Sequence, residues 1–301
     1  MFPKQENTGL RFAETSLHPR DLAAFRNVYQ TGLYNSAMLK STVLKGLLVL
    51  ATLALVTVWL IKTPPGLLGK ADAVAYAVCH RAPSHSFSLD DRSLPLCARC
   101  SGTFLGGLIA LLYVTRLGRR GDLPDLKTSL MLGTFAVAFG LDGINSFARV
   151  LPGSPAVYTP QNWLRLLTGT GVGLGIGALL APVFSQVVWI DFDGRHSLGS
   201  WREIGGLLGV AALLDLAILS GNPLIVYPLA VLSGFAVLAI LTAVYTVIWV
   251  LFSKQENRYH NLKELWVPLT AGFLTALLQI SLMDAGRFIL TGTWAGINLP
   301  N

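Results

Sequence analysis

Seven apolar runs alternate with polar segments along the chain, at residues 43–61, 101–115, 128–148, 163–184, 203–220, 224–252 and 267–290. A helix needs about 20 residues to cross the hydrocarbon core of a bilayer. The pattern therefore predicts an all-α fold, a polytopic transmembrane helix bundle of about seven spans. The second and fifth runs are short and borrow neighbouring residues, while the sixth is long enough to tilt. A polar arm, residues 1–40, comes first. Within it Leu22, Phe25, Tyr29 and Leu33 recur at helical spacing behind Pro19. That spacing predicts a short amphipathic helix over 19–34, either lying on the membrane surface or packing as an ordinary helix. The arm shows no small-residue cleavage pattern, so the first run is expected to remain as an anchor. Three units are expected: the arm over 1–40, a membrane domain over 41–190, and additional transmembrane helices over 191–301.

Composition sharpens the class. Only 13 % of residues are charged, against roughly 25 % in soluble domains, and the mean hydropathy is +0.56. The net charge of +7 suits basic cytoplasmic loops. There is no basic stripe interleaved with aromatics, so membrane lipid rather than nucleic acid is the expected partner. With the N-terminus in the cytoplasm, the inside segments hold 15 Lys and Arg and the outside segments 8. "RLGRR" at 116–120 carries much of that bias, which predicts a cytoplasmic N-terminus.

This orientation places one unusual stretch outside the cytoplasm. Cys79, Cys97 and Cys100 are the only cysteines, and they share a polar segment with His80 and His85. Cys97 and Cys100 form a C-x2-C pair whose turn can aim both sulfurs at one ion. Cys79, His80, Cys97 and Cys100 could complete a tetrahedral zinc site, with His85 as the alternative ligand. The same residues also fit a disulfide with one thiol left over, or buried thiols without special chemistry. The odd cysteine count suits the metal better than a purely disulfide scheme.

"CHRAPSHSF" and "LPLCARCSGTFLGG" in this stretch resemble the signature of the domain of unknown function 2085, a family of small prokaryotic membrane proteins. "LDGINSF" (141–147) and "NWLRLLTGTGVGLG" (162–175) resemble its later part. The resemblance covers about residues 75–185 and departs at His85, where the family has arginine. It implies a multi-pass protein of a prokaryotic plasma membrane with a shared polar site, and no established activity.

Polar residues inside the apolar runs complete the candidate site. Asp142 lies late in the third run, where an unpaired carboxylate is costly. Asp142, Asn145 and Arg149 share one helix face, and so do Asn162, Arg165 and Gly169. Both faces end at the depth of the cysteine segment. Asp142 is expected to meet Arg99, Arg165 or a metal. Gly102 and Gly106, opposite the Gly169, Gly173 and Gly177 series, would let the second and fourth spans touch and bring Arg99 toward Asp142 and Arg165. Asp284 and Arg287 can pair at i, i+3. "WIDFDGRHSLGSW" (189–201) lacks the glutamate of a calcium loop and reads as a turn.

Three functions fit these residues. One is a non-enzymatic membrane protein whose cysteine segment is a zinc or disulfide staple. The second is a membrane-embedded, metal-dependent enzyme acting on a lipid or lipid-linked substrate. Its catalytic candidates are Asp142, Arg165, Arg99 and His80, and Arg81, Arg99, Asn145, Asn162 and Arg165 would bind the substrate. The third is a thiol-redox or metal-handling protein. The sequence leaves the oligomeric state open, although the glycine-rich fourth span allows close helix packing.

Overall fold

A computed structural model of the chain describes residues 42–89, 92–149 and 157–296. The arm over 1–40 and its helix over 19–34 lie outside these residues. The described residues form eight α-helices, a short 3-10 turn and four very short strands, the first two of which, β1 (Ser88–Leu89) and β2 (Arg92–Ser93), pair antiparallel. The helices are α1 (Thr42–Lys62), α2 (Gly66–Val78), α3 (Ala98–Arg116), α4 (Leu126–Ala148), α5 (Asn162–Val188), α6 (Trp201–Leu219), α7 (Pro223–Phe252) and α8 (Trp266–Thr291). Every predicted apolar run is a helix.

Local signals set several boundaries. Asp125 caps α4 by accepting the Thr128 N–H at 3.0 Å. Ser200 and Glu203 form a reciprocal capping box at the start of α6. Asn222 caps α7 just before Pro223, whose missing N–H is harmless in a first turn. Gly292 ends α8 with φ at +66°, a conformation open to glycine at little cost.

The connections gather at two ends of the bundle. At one end β3 (Arg120–Asp122) pairs with β4 (Asp193–His196), and Trp189 bridges to Tyr259. This joins the α3–α4, α5–α6 and α7–α8 loops, and we call it the far end. At the other, the cysteine end, Asn162 donates to the Ser86 carbonyl at 3.2 Å. There Tyr76 donates to the Thr293 carbonyl at 2.8 Å.

Six helices are long and apolar enough to cross a membrane. The seventh predicted span, α6, is not among them, because its 19 residues include Arg202, Glu203 and Asp215. It nevertheless runs between the two ends. Glu203 pairs with Arg120 at the far end, and Ile218 packs in one cluster with Ala98 and Leu166 at the cysteine end. The chain is an all-α, polytopic membrane bundle.

Two elements differ from the sequence reading. Between the first two predicted runs, just ahead of the polar cysteine stretch, lies α2, 13 residues long and mostly buried against α7 and α8. Thirteen residues cannot span a bilayer, so a search for long apolar runs passes over it. The predicted turn over 189–201 contains β4, which is paired in parallel with β3. A strand of four residues, paired to a distant segment, leaves no periodic signature of its own.

The closest packing joins α3 and α5. A methyl group added at Gly169, Gly173 or Gly177 would overlap the carbonyl oxygens of Arg99, Thr103 or Gly107 respectively. The predicted glycine contact between the second and fourth spans is present, and it brings α3 backbone directly against α5 backbone.

Candidate functional site

The cysteine site is assembled at two helix ends. Cys79 follows the last turn of α2 in extended conformation. Arg81, two residues later, has φ at +55°, unusual for a residue with a side chain. The sharp turn persists because Arg81 is held on three sides. It pairs with Asp72 at 2.7 Å and donates to the Pro95 and Trp294 carbonyls at 3.1 and 2.8 Å. Arg287 of α8 secures the same turn by donating to the carbonyls of Tyr76, Cys79 and His80 while lying 4.0 Å over the Tyr76 ring. These are carbonyls at the C-terminus of α2, which lack helical partners. Arg287 therefore serves α2. Among the described residues it forms no ion pair with Asp284, the partner that spacing suggested.

Cys97 is the N-cap of α3, and Cys100 lies in its first turn. Helix N-terminal N–H groups favour negative charge there. The three sulfurs lie within 4.8 Å of one another, and Cys79 and Cys97 are buried. The backbone N–H groups of Arg81 and Cys97 each approach the Cys79 sulfur at 3.4 Å. Hydrogen bonds from the Cys100 and Cys97 thiols hold the Cys79 sulfur well below the ordinary thiol range, and His80 adds to the effect. A hydrogen bond from Cys100 favours the charged form of Cys97. Its bond to Cys79 and its burial nevertheless push the Cys97 thiol up to about 12. The cluster thus favours negative charge on the Cys79 sulfur, with Cys97 and Cys100 as its thiol donors.

These cysteines could hold a metal ion. A tetrahedral ion with sulfur at about 2.3 Å needs its sulfurs about 3.8 Å apart, and the three sulfurs all lie within 4.8 Å of one another. The histidine nitrogens lie outside the sulfur group. His80 Nε2 is 3.0 Å from His85 Nδ1. Burial and the neighbouring Arg165 bring His85 down to about 4, so its ring is neutral at ordinary pH.

The polar site lies beside the cysteines. The Asp142 carboxylate is buried, accepting from Arg99 and, at 2.7 Å, from the Tyr158 hydroxyl. Arg99 also donates to Ser146 Oγ at 3.3 Å and stacks over Phe139 at 5.3 Å. Arg165 is buried, donates to Asn162 Oδ1 at 2.9 Å, and leaves its Nε without a partner. Of the partners expected for Asp142, the ion-paired one is Arg99. Arg165 acts on this pair at longer range, repelled by Arg99 and attracted by Asp142.

The remaining candidate residues have structural partners. Asn145 binds the 157–158 turn, accepting from the N–H groups of Val157 and Tyr158 and donating to the Tyr158 carbonyl. Asn162 ties α5 to the 3-10 turn at Ser86. Arg81 is taken up by Asp72, Pro95 and Trp294. Asp72 and Tyr158 were missed in the sequence. Asp72 had a signal, since it lies on the buried helical face of α2 with Gly69, Ala73 and Tyr76. Tyr158 had none, because it reaches Asp142 from a loop.

The fold and the buried thiols define a polytopic membrane protein with a cysteine cluster and a buried arginine–carboxylate pair at one end of its bundle. Residues 79–179 match the family model of a predicted membrane protein, domain of unknown function 2085. The match begins at the first cluster cysteine and includes Arg99, Asp142 and Arg165. An uncharacterized protein of Methanothermobacter thermautotrophicus is 27 % identical over 111 residues, 37 % of this chain and 90 % of the relative. An uncharacterized protein of Methanocaldococcus jannaschii is 25 % identical over 122 residues, 40 % of this chain and 72 % of the relative. Glycerol-3-phosphate acyltransferase 3 of Dehalococcoides mccartyi is 32 % identical over 128 residues, 40 % of this chain and 59 % of that protein. No solved structure matches the chain.

Proposed function

We propose that this is a metal–thiolate membrane protein. In it one zinc ion fastens the segment from Cys79 to Cys97 onto α3, closing a polar site that faces away from the cytoplasm. The observation that carries this reading is the convergence of three sulfurs, from the ends of two helices, to within 4.8 Å. Borderline-soft zinc suits such a donor set. His80, which acts on the Cys79 sulfur and whose Nε2 is held by His85, would become the fourth ligand by turning its other ring nitrogen to the ion, since it lies outside the sulfur group in this structure. Metal-bound histidines commonly have such an outer partner. The orientation rests on the charge bias of the loops.

Purified full-length protein in detergent is expected to carry about one zinc per chain by elemental analysis, and Cys97→Ser to lose most of it. A wild-type protein without metal and with a Cys97–Cys100 disulfide by mass spectrometry would overturn the reading.

A second reading is an enzyme acting on a phosphate-bearing lipid precursor. It is favoured by the similarity to glycerol-3-phosphate acyltransferase 3 together with the unpartnered Nε of Arg165. In that reading Arg165 and Arg99 bind the phosphate, and Asp142 positions Arg99. Acyl transfer to glycerol-3-phosphate by the purified chain, lost in Arg165→Gln with zinc retained, would establish it.

A further inference from the structure

The far end holds a cavity that the cysteine site does not involve. Its volume is about 390 Å³, within the range of small-ligand sites. It lies among the first two turns of α1, the last turn of α7 and the first turns of α8. Leu44, Leu48, Val267 and Leu274 supply an apolar wall, with Trp249 and Trp266 beside them. The cavity exists because α1 leans on the bundle without joining its core. None of its residues is buried, and its helix contacts are chiefly with α8.

The lining has two chemistries. Lys45 is the basic group, with its ammonium 5.8 Å from the centre of the Trp266 ring. Among the described residues it forms no ion pair. Glu264 also lines the cavity, but its carboxylate oxygens accept from the His260 N–H at 2.9 Å and the Asn261 amide at 2.7 Å. A cation above an apolar chamber, at the level where helices end, calls for an amphiphile with a negative head. Tryptophans characteristically occupy that level of a membrane. The apolar wall suits a neighbouring acyl chain, while Ser253, Gln255 and Tyr259 add polar groups to the lining at the end of α7 and in the loop after it.

We infer that this cavity is a binding site for an anionic glycerophospholipid, with one acyl chain between α1 and α8 and the phosphate at Lys45. The adjoining loop carries Lys254, Arg258 and Lys263 together with Glu256 and Glu264. The inference is independent of the proposed zinc site, because the two lie at opposite ends of the bundle.

Native mass spectrometry of the delipidated full chain, titrated with phosphatidylglycerol and with phosphatidylcholine of matched chains, tests it. One phosphatidylglycerol per chain is expected to be retained in preference to phosphatidylcholine. Lys45→Gln should weaken phosphatidylglycerol by about fivefold, the size of one near-surface charge contact. Leu48→Trp, which fills the chamber from a half-buried position, should lower retention of both lipids. Equal retention of the two lipids by the wild-type chain, or unchanged retention in both variants, would overturn the site. A photoreactive residue at Leu44 keeps the test decisive if Leu48→Trp misfolds. A phospholipid adduct supports the site, and an adduct to residues 1–41 or to a second copy of the chain overturns it.

Discussion

The two ends of the bundle use similar residues in opposite ways. At the far end, Arg119 pairs with Asp191 and stacks 4.2 Å over Trp189, while Arg195 pairs with Asp193 two positions away. Both carboxylates are largely exposed. At the cysteine end, Asp142 and Asp72 are buried, and each carries arginine partners drawn from other elements. Exposed pairs gain little because water competes for both charges. Buried pairs lose hydration, and removing one partner strands the other. The Arg119–Asp191 and Arg195–Asp193 pairs are thus solvated, while Arg120–Glu203 is the largely shielded pair described at that end. The cysteine end depends on a few contacts that cannot be removed singly.

Asp142→Asn and Asp191→Asn break the comparison most directly. Asp142 is 2 % exposed, and its loss leaves Arg99 in a buried site without its carboxylate. We expect a destabilisation of about 3–5 kcal/mol, measured by denaturant unfolding in detergent. Asp191→Asn should leave unfolding unchanged within error. Equal effects from the two variants would mean that burial does not separate the two ends.

Glycine substitutions give a smaller contrast. Gly169→Ala forces a methyl group onto the Arg99 carbonyl and should cost about 1–3 kcal/mol by overpacking. It should also disturb Arg99. Gly205→Ala, near the far end of α6, meets no atom within 4 Å and should be neutral or slightly stabilising through helix propensity. Thermal unfolding of both variants measures the difference.

The smallest effect is a pH dependence. Desolvation of its hydroxyl, then the hydrogen bond to Asp142, pushes the otherwise exposed Tyr158 up to about 12. The folded protein therefore holds this proton more tightly than the unfolded chain, whose tyrosines titrate near 10. The stabilisation is complete below about pH 10 and is lost as pH rises from there toward 12. Phenolate absorbance in wild type and Tyr158→Phe should show one late-titrating tyrosine missing from the variant. A wild-type titration without that late component would detach Tyr158 from Asp142.

The fold was legible where physics acts over long windows. A bilayer demands about 20 apolar residues, and each such run became a helix. Hydropathy is blind to α2, because 13 residues buried in protein face no such demand. Its buried Ala71, Val74 and Ala75 give it a different signature, small and apolar residues at helical spacing behind Pro65. Within the site, Asp142 and the glycine contact were legible because helical spacing assigns each to one face of its helix, and Arg99 because it lies one turn ahead of the glycines on α3. The partner of Arg287 was not. Spacing offered Asp284 on the same helix, whereas the structure supplies the carbonyls of a helix that had gone unrecognised.

The glycine contact between α3 and α5 behaves like a comb. Gly169, Gly173 and Gly177 present the same notch every four residues, and α3 presents a carbonyl to each in turn at Arg99, Thr103 and Gly107. Equivalent teeth cannot tell one register from the next, so a slip by one turn would find nearly the same fit. A contact outside the comb is not repeated: Asn162, the first residue of α5, donates to the Ser86 carbonyl in the segment that leads into α3. That bond has a single mate, so it indexes the pair, whereas the glycines alone would let it mesh in several positions.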